Sequence, residues 1–386
     1  MPRRSGNEPL GEHPARDRER RGRHVTRTRV ALLFGGRSSE HSISCATAGG
    51  VLGAIDRDAY EVIPVGITRD GAWTLQADDP AALTLAAELP TVVDDGSRVR
   101  LPDSAAAREW LLERPGGTLE SLGDIDVVFP LLHGPGGEDG TIQGALELLG
   151  IPYVGNGVLA SSLGMDKHFT KTVLQAAGIE VAGWVTVTRP DWDDRRELFA
   201  RRIRSLGLPV FVKPARAGSS VGVSKVTEWS RLEAAIEVAF AEDSRVLIEE
   251  AVVGREIECG VLSGRDGGEP RVSLAGEIVL TGEGFYDFDA KYRGAPGVEL
   301  RCPADLAAGE LGELHRIAAR AFEAIGGSGL ARVDVFYTGD RFVVNELNTM
   351  PGFTPISMFP ACWRASGLSY PALITELIDL GRSAVR

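Results

Sequence analysis

"LARVDVFYTGDRFVVNELNTMPGF", residues 330–353, is the stretch on which the reading of this chain turns. Two runs rich in Val, Phe and Leu, 330–338 and 341–347, flank Gly339-Asp340, which predicts a β-hairpin closed by a tight turn. Successive side chains of a strand point to opposite faces. Arg332 and Asp334 therefore share a face, as do Glu346 and Asn348, and the expected pairing turns all four the same way. Two carboxylates and an amide oxygen form a hard-oxygen set suited to Mg²⁺ and phosphate. A hairpin with a solvated polar face has the same pattern. Arg332 beside the acids is charge compensation, or the cation that a developing phosphoryl or oxyanion charge needs. Pro351-Gly352 then breaks the strand.

Working outward, the C-terminal part reads as strands after Gly254 ("EIECGVLS", "RVSLAGEIVL"), a long loop over 281–300 and a helix over 308–326. The middle part reads as a helix at 167–179, then strand, Gly-rich loop and strand in "PVFVKPARAGSSVGVSKV" (209–226), a helix, and a buried strand at 245–252. The first part alternates strands at 29–35, 60–68 and 126–134 with helical patterns, which implies a parallel sheet covered by helices. The expected class is α/β, passing to α+β in the C-terminal half. The expected domains are 28–158, 159–252 and 253–386, after an Arg-rich extension at 1–27.

Composition narrows the function. Residues 1–29 hold nine Arg against four Asp or Glu, net +5, so the remainder carries −17 of the total −12. An acidic body argues against nucleic acid as partner. The basic start lacks apolar periodicity and reads as disordered. No apolar run reaches the roughly 18–20 residues that span a bilayer, and no secretory h-region is visible. Cys45, Cys259, Cys302 and Cys362 are far apart without a CxxC pair, which suits a reducing cytoplasm.

Other segments carry chemistry more weakly. The 213–223 loop offers Lys213, Gly218, Ser219, Ser220 and Gly222 as a phosphate cover, though it is neither a Walker A nor a GxGxxG sequence. Lys167, Glu249 and Glu256 each read equally well as surface residues. His133 stands at the carboxyl end of a parallel strand, where open α/β sheets bind ligands, and Glu40 ends another.

The motifs GGRSSEHSIS, LLHGPGGEDGTIQG, GMDKHFTK, VKPARAGSSVGVSKV, VLIEE with GREIE, FYDFDAKY, ARVDVF and NELNTMPGFTPIS, in this order, resemble the D-alanine–D-alanine ligases of the ATP-grasp superfamily over about residues 28–383. The resemblance implies an ATP-grasp fold behind a Rossmann-like N-terminal domain, a cytoplasmic homodimer, and no nucleic-acid or membrane partner. The implied activity joins two D-alanines through an acylphosphate, for peptidoglycan precursor synthesis. It implies that Lys167, Lys213, Glu249, Glu250, Val252, Glu256 and Phe285 bind ATP. Two Mg²⁺ ions, or Mn²⁺, would sit on Asp334, Glu346 and Asn348. Glu40, with His133 nearby, would hold the first D-alanine, and Lys291 and Ser357 the second. Glu40, Ser219 and Tyr292 would couple a lid at 281–300 to the substrates. Arg332 and the Gly352 N–H would stabilise the oxyanion. Tyr292 in "DAKY" points to an amine as second nucleophile; a ligase using D-lactate or D-serine is the nearest alternative. An inactive nucleotide-binding regulator is the alternative of another class. Phe288, Met350 and the "PIS" segment depart from the usual pattern without removing an acid, base or metal ligand.

Overall fold

Residues 27–85, 89–218, 220–280 and 297–384 are described by the computed structural model. The Arg-rich extension, Ser219 and the greater part of the expected lid, with Phe285, Lys291 and Tyr292, lie outside the described residues.

Strands β1 (Thr28–Gly35), β2 (Tyr60–Ile67) and β7 (Val127–Pro130) pair in parallel, in the order β2-β1-β7, with the short β3 (Trp73–Leu75) antiparallel at one edge. Helix α1 (His41–Ala54) starts directly beyond β1 and buries most of its length. Between β3 and β7 the chain forms a small antiparallel sheet of β4 (Arg98–Arg100), β5 (Glu109–Glu113) and β6 (Leu119–Asp124), which the sequence reading did not assign. Helices α2 (Thr141–Leu148), α3 (Val158–Met165) and α4 (Lys167–Ala176) follow. Asp166 caps α4, accepting from the N–H groups of His168 and Phe169.

A second sheet, antiparallel, has the order β10-β9-β11-β8 from β8 (Trp184–Thr188), β9 (Val210–Pro214), β10 (Ser224–Val226) and β11 (Arg245–Glu250). Helices α5 (Arg189–Arg204) and α6 (Leu232–Glu242) cover it. A third, five-stranded antiparallel sheet runs β14-β13-β12-β15-β16, built from β12 (Arg255–Leu262), β13 (Arg271–Leu280), β14 (Val298–Arg301), β15 (Leu330–Tyr337) and β16 (Phe342–Asn348). Helices α7 (Ala308–Ala324), α8 (Met358–Ala365) and α9 (Tyr370–Ser383) complete the chain.

The hairpin forms as read. Arg332 lies opposite Asn348 and Asp334 opposite Glu346, and an irregularity beyond Asp334 absorbs Asn345. After β16, Phe353 is fully buried against Phe129, Phe359 and Tyr370, with ring centroids 6.0, 5.9 and 5.4 Å away. Each such pair adds about 0.5–1.5 kcal/mol beyond simple burial. The Tyr370 hydroxyl donates to the Phe353 carbonyl at 2.7 Å, so the Pro351-Gly352 break is anchored on both chemical and steric grounds.

The hydrophobic cores do not follow the sheets one for one. Residues 185–248 hold a core of their own. The β1-β7 sheet instead shares one core with Met350, Phe353, Phe359, Trp363 and the apolar face of α9. Ala160 and Leu174, from α3 and α4, pack with the third sheet. Asn156 staples these parts together: its amide N–H₂ reaches the carbonyls of Leu330 (2.6 Å) and Thr349 (2.9 Å), and its oxygen accepts from Ser328. No helix among the described residues is long and apolar enough to cross a membrane.

Candidate active site

The carboxyl ends of β1 and β7, the edge of the second sheet and the polar face of the third converge on a cleft of about 780 Å³. Glu40, His133, Lys167, Lys213, Glu249, Glu250, Val252, Glu256, Arg332, Glu346, Asn348, Gly352 and Ser357 all line it. Residues more than 300 positions apart in the chain are thus gathered around one space. Asp334 lies behind Arg332 rather than on the surface of the cleft.

Glu40 immediately precedes α1 and is buried. Its carboxylate lies where a side chain at Gly134 or Gly218 would crowd it: a Cβ at either would stand 3.0 Å from Oε2. The absence of those side chains lets the loop after β7 and the loop after β9 close on a single acid. Ser38 fixes the same corner, donating to the His133 carbonyl at 2.7 Å and accepting from the Glu40 N–H. His133 is buried near Thr47, and burial holds its pKa below the ordinary histidine value although Glu40 opposes this. It is a neutral imidazole at neutral pH.

On the second sheet, Lys213 and Glu249 stand diagonally on neighbouring strands, with Nζ and Oε2 2.6 Å apart. Burial works against the Lys213 ammonium, but Glu249 lifts its pKa above the ordinary lysine value. Glu250 turns its carboxylate to the Gly183 N–H, at 2.7 Å. Lys167 opens α4 and reaches the Ala217 carbonyl at 2.9 Å and Glu346 at 3.7 Å, bridging the Gly-rich loop to the hairpin.

On the third sheet, Arg332 binds Asp334 through two hydrogen bonds of 2.7 Å and lies 3.1 Å from Glu258. Burial disfavours its charge, yet the two carboxylates hold its pKa well above the ordinary arginine value. The Asn348 amide donates to Asp334 at 2.9 Å. Among the described residues no three His, Cys, Asp or Glu are close enough to hold an ion by themselves. The donor set is two cross-strand carboxylates with an amide as the third member, and its oxygen chemistry fits a divalent cation that also takes phosphate and water. Ser357, at the start of α8, exchanges hydrogen bonds with Thr354, and a Cβ at Gly352 would stand 3.3 Å from its hydroxyl.

Models of two protein families, the D-ala D-ala ligase N-terminus and the D-ala D-ala ligase C-terminus, match residues 29–156 and 173–379. The chain belongs to the D-alanine–D-alanine ligase family. A D-alanine–D-alanine ligase of Paenarthrobacter aurescens is 52% identical over 358 residues, 92% of this chain and 95% of its own. One from Streptomyces coelicolor is 49% identical over 363 residues, 91% and 92% of the two chains. Among solved structures, a D-Ala:D-Ser ligase from Enterococcus faecalis matches with a TM-score of 0.79 at 36% identity, covering 92% of this chain and 99% of its own. The D-alanine–D-alanine ligase from Coxiella burnetii gives 0.76 at 34%, covering 92% and 94%. The fold is that of these ligases, ATP-grasp.

Three residues in or directly behind the cleft carried no assignment in the sequence reading. Glu258 is two positions beyond Glu256 in β12, so strand alternation places both on one face. Lys171 is one helical turn beyond Lys167. Glu138, inside HGPGGEDG, accepts from the Gly134 N–H at 2.6 Å. Burial, with Glu40 adding to it, pushes its carboxyl up to about 8. Between the ordinary carboxylate value and about 8 the folded chain keeps this proton while the unfolded chain loses it, so folding stability declines as pH rises through that window. Glu138→Gln should flatten the decline and melt at a higher temperature than the parent at pH 8. Thermal unfolding from pH 5 to 9 measures this; parallel curves for parent and variant would exclude the burial-raised carboxyl.

Proposed function

We propose that this chain catalyses ATP-dependent ligation of two D-alanine molecules to D-alanyl-D-alanine for peptidoglycan precursor synthesis, working in the cytoplasm as a homodimer. What carries the reading is the convergence of Glu40, Lys167, Lys213, Arg332 and Glu346 on one cleft, in a chain matched along both halves to one ligase family.

Lys167 and Lys213 hold the ATP phosphates, and Glu249, Glu250, Val252 and Glu256 line the nucleoside end. Phe285 is assigned to the same site. Glu40 and neutral His133 orient the first D-alanine, whose carboxylate attacks the γ-phosphate to give an acylphosphate and ADP. Positioning and charge neutralisation supply most of this step. Asp334, Glu346 and Asn348 are the residues that would hold Mg²⁺, or Mn²⁺, two ions in all; bound there, the metal neutralises phosphate charge. The amine of the second D-alanine, its carboxylate held by Ser357 and Lys291, then attacks the acyl carbon. Arg332 and the Gly352 N–H face the resulting oxyanion, and phosphate leaves. Ser219 and Tyr292, with Glu40, are assigned to couple the 281–300 segment to the substrates, so that the acylphosphate is kept from water.

Phosphate release from ATP with D-alanine alone, then with D-lactate or D-serine added, tests the assignment. Release with D-alanine alone, yielding the dipeptide, is expected. No release would overturn the proposal and favour an inactive regulator. A mixed product formed in preference to the dipeptide would move the assignment to a D-lactate or D-serine ligase.

A further inference from the structure

Helix α4 places Lys171 wholly inside the protein, 1% exposed, with Nζ 3.3 Å from Glu249 Oε1. The other oxygen of that carboxylate takes Lys213 at 2.6 Å. One buried acid thus holds two cations. Only Lys213 and Glu249 border the cleft; Lys171 stands behind them. Burial lowers the Lys171 pKa, with Glu249 opposing, while the two lysines keep the Glu249 carboxyl below the ordinary value against its own burial.

A buried carboxylate can release its partner cation only if another cation remains, because an isolated buried charge is strongly disfavoured. Lys213 is therefore unable to turn from Glu249 to a nucleotide phosphate in a simple one-to-one pair. We propose that Lys171 is a positioning residue that keeps Glu249 paired while Lys213 is handed to the nucleotide. The Lys213 ammonium then becomes complementary to the phosphates that arrive. This rests on the nucleotide reading of the cleft. A merely structural lysine would also be buried and paired, but its removal would not depend on whether residue 249 carries a charge.

That dependence is measurable as a double-mutant cycle. Calorimetric binding of a non-hydrolysable ATP analogue to the full chain is compared for the parent, Lys171→Met, Glu249→Gln and the double variant. Lys171→Met should weaken binding about tenfold or more in the parent background, the scale of a typical coupling between contacting groups. In the Glu249→Gln background the same change should move affinity less than about twofold, since a neutral amide requires no cation. In turnover the loss should fall on the KM for ATP and not on that for D-alanine. Lys171→Gln, which keeps a donor for Glu249 but no charge, guards against misfolding of the methionine variant and should lose the same affinity. Equal losses in both backgrounds, or none in either Lys171 variant, would overturn the hand-over. A parent that binds no nucleotide would overturn the reading of the cleft and this inference with it. Binding by the parent with unaltered Lys171 variants overturns the inference alone.

Discussion

Arg332→Met should lower kcat/KM by about a hundredfold to a thousandfold, the range for loss of one oxyanion donor, and should also weaken the fold. The second effect follows from its partners. Asp334 and Glu258 are 7% and 6% exposed, and both are ion-paired with this guanidinium. Removing the cation from a buried ionic cluster leaves the carboxylate charge less compensated and typically costs about 3–5 kcal/mol. Arg332→Lys keeps the charge but loses the planar fork that spans both Asp334 oxygens, so it should regain part of the stability while turnover stays low. Phosphate-release kinetics and denaturant unfolding on the same preparations separate the two effects. Full activity in the methionine variant would remove Arg332 from the chemistry, and undiminished stability would contradict the buried pairing.

Glu346→Ala has a different signature. Its side chain is 27% exposed, and Lys167, 3.7 Å away, keeps the Ala217 carbonyl as a partner. Stability should therefore fall less than in the Arg332 variants, whose lost group is buried. Turnover should fall by about a hundredfold to a thousandfold, because a metal that neutralises phosphate contributes several kcal/mol and each 1.4 kcal/mol is about a factor of ten. The Mg²⁺ concentration for half-maximal rate should rise in parallel. A variant with normal turnover and normal Mg²⁺ dependence would remove Glu346 from the metal site.

The hairpin was legible because strand parity and a two-residue turn are local signals, but the register of Asp334 against Glu346 was not, since the turn alone would set Asp334 against Asn345 and the irregularity that absorbs Asn345 shifts the pairing by one. Which cations hold which acids was not legible. Strand parity sets Arg332 beside Asp334, but that Glu258 of β12 completes the cluster depends on a pairing of strands about 70 residues apart. Lys171 was hidden for a related reason: its helical spacing from Lys167 suits a solvated face, and only the packing of α4 against the second and third sheets buries it. The small sheet at 98–124 escaped because the segment around it is rich in Ala, Asp and Pro, while its strands are no more than six residues long. Glu250 reads as a cleft acid, yet its carboxylate goes to the Gly183 N–H, a contact that no spacing rule anticipates.

The core shared between β1, β7 and α9 sets an order for synthesis on the ribosome. Leu373, Ile374, Leu377 and Ile378, all fully buried, belong with Val30, Phe34 and Phe129. At about 5–20 residues per second, roughly 12–48 s separate emergence of the first sheet from that of its last helix. During that interval one side of the nascent sheet lacks its cover, whereas residues 185–248 can close their own core as soon as they emerge. Folding of this chain is therefore expected to complete its middle before its beginning, and the nascent N-terminal sheet is the segment that a chaperone would have to shield.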